Sequence, residues 1–139
     1  MKIGFDGKRA ANNLTGLGNY SRSLIDHLAN GFPQNQYFIY TPKAKSNILD
    51  FPLFKRKNIF LELPQKAKFL WRSFCIKHQL LKDKIDIFHG LSHEIPFNLG
   101  NTGIKSIVTI HDLIFKVYPD YYKLTDRKIY DNKFKHACE

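Results

Sequence analysis

The stretch "KIGFDGKRAANNLTGLGNYSRSLIDHL", Lys2 to Leu28, decides the fold. KIGFD is a short apolar run ending in a turn, the pattern of a strand buried on both faces of a sheet. Beyond it Leu17, Tyr20, Leu24 and Leu28 recur at helical spacing, and Asn30, Gly31 and Pro33 supply the chemistry that stops a helix. A buried strand feeding a helix is the opening of an α/β chain, and the same alternation continues downstream.

QYFIYT (36–41) and NIFLEL (58–63) read as the second and third strands. Between them PKAKSNILDFPLFKRK, with two prolines and much lysine, reads as a mobile loop. Residues 65–83 read as the second helix, with Ala67, Leu70, Trp71, Phe74 and Leu81 on one side. KIDIFHG (84–90) and IKSIVTIHD (104–112) complete five strands, and a loop carrying Tyr118, Pro119, Tyr121 and Tyr122 leads to a last helix from about Thr125. Strand-helix alternation implies a parallel sheet with helices on both faces. Right-handed crossovers and the order 3-2-1-4-5 place the first and fourth strands side by side at the topological switch point. The loops after strands one, four and five then open on one crevice at the carboxyl edge, where ligands bind in open α/β sheets.

The 139 residues fit one domain and bury about two-thirds of the unfolded surface. No apolar run approaches the roughly 20 residues of a membrane span. Only Ile3 to Phe5 is apolar before Asp6, against the roughly 7 to 15 residues of a secretory h-region, so the expected compartment is the cytoplasm. Cys75 and Cys138 lack C-x-x-C spacing and read as small buried hydrophobes. The net charge of +10 favours polyanionic partners. Half of the basic residues fall between Lys43 and Lys84, opposed in that segment only by Asp50, Glu62 and Asp83.

Gly16 and Gly18 before a helix suggest a phosphate cradle, because backbone N–H groups at a helix start attract anions. The dinucleotide fingerprint does not fit. Nine residues, Gly7 to Thr15, separate the strand from Gly16, Ser21 stands at the third glycine position, and the second strand ends in Tyr40-Thr41 without an acid for a ribose. No G-K-[ST] sequence occurs either. The other reading of these glycines is a plain turn. His111 and Asp112 end the fifth strand, where a histidine either serves a site or caps local backbone. His89 and His93 are four apart but lie in a loop with Pro96, so metal ligation at helical spacing is not expected. Glu94 reads as a base, a ligand contact or a solvated acid. The helix over 65–83 mixes aromatic and basic residues and reads as a core helix with a basic rim or as a dock for an anionic membrane surface. No nucleic-acid-binding signature is visible.

Taken together, "IGFDGKRAANNLTGLGNYSRSLIDHL", "DIFHGLSHEIPF" and "SIVTIHDLIFKVYPDYY" resemble the amino-terminal half of family 4 glycosyltransferases of the GT-B architecture, especially the mannosyltransferase-like members. The resemblance covers essentially the whole chain, residues 1–139, with the three motifs in order. It implies a Rossmann-like acceptor-side domain, one incomplete half of a two-domain enzyme whose nucleotide-sugar half lies outside this sequence. The implied reaction is a retaining sugar transfer from a UDP- or GDP-sugar to a glycan or lipid-linked acceptor in cell-surface polysaccharide synthesis, with no cofactor or metal required. Gly16, Leu17 and Gly18 would approach the donor diphosphate, and His111 would hydrogen-bond the transferred sugar with support from Asp112. His89, His93 and Glu94 would lie on the acceptor side. Asn19 stands where relatives often carry Arg. Two other readings stay open beside this one: a non-catalytic Rossmann-like module binding carbohydrate or phosphate, and a polyanion-binding protein driven by the charge.

Overall fold

The computed structural model describes residues 1–64, 71, 75–97 and 99–138. Its five strands are β1 (Lys2–Asp6), β2 (Gln36–Tyr40), β3 (Ile59–Glu62), β4 (Ile87–Gly90) and β5 (Lys105–Val108). They form one all-parallel sheet in the order β3-β2-β1-β4-β5, the order expected from the sequence. Phe5 pairs with both Ile39 and His89, so the carboxyl ends of the three central strands stand level. The α-helices among the described residues are α1 (Lys8–Asn12), α2 (Gly16–Gly31), α3 (Ser46–Leu49), α4 (Ile76–Lys82), α5 (Ile114–Val117) and α6 (Leu124–Cys138).

Alternation along the strands builds two cores. Phe5, Tyr37 and Ile39 pack with Ala10, Ile25, Ala29 and Leu53 on one face of the sheet. Phe38, Tyr40 and Phe88 pack with Trp71, Ile76 and Leu80 on the other. Burying each large apolar side chain stabilises by about 1.5–3 kcal/mol, so both faces contribute to holding the sheet. This is the two-sided burial that a parallel sheet requires.

Several sequence expectations need correction. The buried stripe of α2 is Gly18, Ser21, Arg22, Ile25 and Ala29, turned one residue from the expected one, while Leu17, Leu24 and Leu28 flank it and Tyr20 is exposed. Small residues on this stripe admit α1, so hydrophobicity alone points to the neighbouring face. The segment read as a mobile loop holds α3 and a short 3-10 turn (Pro52–Lys55), anchored by Ile48 and Leu53 in the core. The second helix is described over Ile76–Lys82, where Ile76 and Leu80 face inward and Leu81 is exposed. Ala67, Leu70 and Phe74 lie outside the described residues. Both cysteines are exposed rather than buried. No helix among the described residues is long and apolar enough to cross a membrane.

Candidate functional site

The carboxyl edge of the sheet gathers the loops after β1, β4 and β5. Gly90 begins the tight turn after β4, and a Cβ there would lie 2.1 Å from the Glu94 carbonyl oxygen. His93 closes the turn at φ 62°, a left-handed conformation that costs a non-glycine residue about 1 kcal/mol. Two contacts hold it: its N–H donates to the Thr109 carbonyl at 3.0 Å, and its ring stacks on Phe134 of α6 at 4.9 Å.

His111 sits half-buried between two aromatic partners. Tyr20 meets it edge-on at 5.0 Å, and His93 does the same at 5.2 Å. Its Nε2–H donates to the Leu91 carbonyl at 2.9 Å. A carbonyl can only accept, so Nε2 carries the proton and Nδ1 is the nitrogen with a lone pair to offer. The backbone N–H of His111 points at His93 Nδ1, 3.4 Å away.

The expected residues divide. Gly16 is the first residue of α2; it is exposed, and no atom lies within 4 Å of where its Cβ would be. No side chain caps that terminus. Leu17 follows it, half-buried. Gly18 is glycine for another reason, since a Cβ there would lie 1.8 Å from the Asn13 carbonyl oxygen. Tyr20 stands one turn after Gly16 on the same face and carries that face to His111. Asn19 is engaged, its Oδ1 accepting from Arg22 Nη2 at 2.6 Å.

His89 is turned inward beside Phe5 and hydrogen-bonds Thr109 Oγ1 at 2.8 Å. Burial lowers its pKa from the ordinary 6.5. Burial also lowers that of His93, with further contributions from the His111 and Arg9 charges. Asp112 is exposed, and its Oδ1 accepts from the Ile114 N–H at 3.1 Å, closing a local turn rather than bracing the His111 ring.

His93 and Glu94 line a cavity of about 260 Å³ together with Lys8, Arg9, Ser92, Tyr130, Lys133 and Phe134. Lys8 and Arg9 follow β1, and Ser92 to Glu94 follow β4, so the cavity lies at the switch point between two adjacent parallel strands. Lys133 pairs with Glu94 at 2.6 Å. The sequence reading missed Arg9, Tyr20, Ser92, Thr109 and Lys133. A signal for the first existed, because Arg9 sits just past the carboxyl end of the central strand. Among the described residues no three His, Cys, Asp or Glu side chains converge as a metal-ligand set. Compared with family models, curated proteins and solved structures, the chain gives no match.

Proposed function

We propose that the protein is a retaining glycosyltransferase resembling family 4, moving a sugar from a UDP- or GDP-sugar to a glycan or lipid-linked acceptor at the cytoplasmic membrane face. The observation that carries this reading is the junction of α2 with the loop after β5: the Tyr20 ring, one turn past the uncapped helix start, packs on His111, three residues beyond the strand's end at Val108. As the bond between sugar and diphosphate breaks, negative charge grows on the departing phosphates. Fixed N–H groups at Gly16 and Leu17 suit that charge because they need no reorganisation when it appears. His111 Nδ1 is free to accept from a hydroxyl of the transferred sugar, since Nε2–H is held by Leu91. In this reading a second domain supplies the opposite wall and most of the nucleotide contacts, and His93 with Glu94 faces the acceptor.

The test is nucleotide release from a panel of UDP- and GDP-sugars by the product of the complete reading frame, with and without His111→Ala. Release from one donor, reduced by about a hundredfold in the variant, is the expected result. No release from any donor, with or without candidate acceptors, overturns the reading in favour of a binding module.

A further inference from the structure

We propose that the cavity between α1, the turn after β4 and α6 is a phosphate subsite that seats the phosphate of a phosphorylated acceptor. The inference rests on the transfer reading above and names the acceptor's chemistry. Three cations, Lys8, Arg9 and Lys133, face one carboxylate, Glu94, so the cavity carries excess positive charge. Arg9 makes no ion pair or side-chain hydrogen bond with a described residue, which leaves its planar fork open to two phosphate oxygens. Ser92 is 9% exposed, and its hydroxyl has no hydrogen-bond partner among the described residues. It lines the same cavity and supplies a neutral donor.

The size fits this assignment. About 260 Å³ is below the usual range for a whole small-molecule ligand, and it accommodates a phosphate with part of a sugar ring. Tyr130 and Phe134 provide the apolar surface against which such a ring packs. The cavity opens beside His93, whose ring contacts His111, so a phosphate seated at Arg9 holds its sugar next to the group assigned to the reacting centre.

The full chain is titrated with inorganic phosphate at constant ionic strength while the Arg9 Nε–H and Ser92 amide signals are followed by NMR. Saturable shifts at both are expected, weakened by about tenfold or more in Arg9→Gln and unchanged in Lys57→Gln, an exposed lysine elsewhere. Shifts spread equally over the basic residues from Lys43 to Lys57, or unaffected by Arg9→Gln, overturn the proposal. Glucose 1-phosphate in solution and phosphatidylcholine vesicles with or without phosphatidic acid then separate a soluble phosphoester from a lipid headgroup. Arg9-dependent binding in one arm identifies the source, and Arg9-independent behaviour in both overturns the subsite. Phosphate binding at Arg9 without nucleotide release from any donor counts against the transfer reading alone. Transfer to a phosphorylated acceptor that Arg9→Gln leaves unchanged counts against the subsite alone.

Discussion

His93 and His111 meet edge to face, with ring centroids 5.2 Å apart, and the backbone N–H of His111 points at His93 Nδ1. That nitrogen must keep its lone pair for the contact to hold, so protonating His93 breaks it and also places a charge in a half-buried turn. His89, turned inward beside Phe5, faces the same penalty. Both have folded-state pKa values lowered from 6.5, chiefly by burial. For His93, Asp112 and Glu94 oppose the shift while His111 and Arg9 add to it. The unfolded chain therefore binds more protons than the folded one over the interval from about 6.5 downward to the lowered values, and stability rises with pH across that window. Thermal melts are expected to show the transition temperature falling as pH drops from 7 towards 5, and His89→Gln should flatten the slope. An unchanged slope in that variant rejects burial of His89 as a source.

The two glycines at the start of α2 separate by function. Gly16→Ala adds a methyl group to open space, and alanine is the better helix former by up to about 1 kcal/mol, so stability should hold or rise slightly. Gly18→Ala drives a methyl group to within 1.8 Å of the Asn13 carbonyl oxygen, and the expected loss is about 1–3 kcal/mol or more. Denaturant midpoints of the two variants provide the check. Equal midpoints would mean that the α1–α2 connection is not packed as described.

The strands and their order were legible because buried parallel strands are written as apolar runs, and because few connections satisfy handedness. The same economy hid α1. KRAAN is too short to show a helical period, and its two buried alanines carry little hydrophobic signal. The α2 face was read one residue off because Gly18, Ser21 and Arg22 line its buried side, and close approach of a second helix is not a hydrophobic pattern. His89 looked like a cleft residue from its place in the chain. Strand alternation turns it inward: Phe88 faces the core that holds Tyr40 and Trp71, so the next side chain lands beside Phe5. The cavity wall from α6 was out of reach for a different reason. Lys133 and Phe134 lie some forty positions beyond Glu94 and His93, and only the folded chain brings them together.

The helix around Trp71 reads from the sequence as a core helix with a basic rim or as a dock for anionic membranes; the indole is 6% exposed, with its ring 6.4 Å from that of Tyr40, as the core reading requires. Trp71 is the only tryptophan, which makes fluorescence a direct reporter. Emission should be that of a shielded indole in buffer and should not shift when vesicles containing anionic lipid are added. Trp71→Ala is expected to cost about 3–5 kcal/mol, the range for emptying a large core site. A lipid-dependent blue shift would place the indole at the membrane and reverse the assignment.

Arg22 is the buried cation among the described residues, and its guanidinium ties three pieces of chain together. Nη1 donates to the Ala10 carbonyl at 2.8 Å and to the Asn13 carbonyl at 2.7 Å, Nη2 donates to Asn19 Oδ1, and the fork lies 5.0 Å from the Phe51 ring centre. These contacts hold the end of α1, the turn before Gly16 and the segment after α3 against α2. Arg22→Met keeps much of the volume but leaves two carbonyl groups without their donor, at about 1–3 kcal/mol for each such group. We expect a loss of about 2–4 kcal/mol in denaturant unfolding. Arg22→Lys should recover only part of it, because a compact ammonium does not reproduce the planar fork. The loss should come with faster amide exchange at Asn19, whose N–H donates to the Thr15 carbonyl at 3.0 Å, since the turn that sets the helix start is released. Slow exchange there in Arg22→Met would show that the helix start is held by packing against Asn13 and not by the guanidinium.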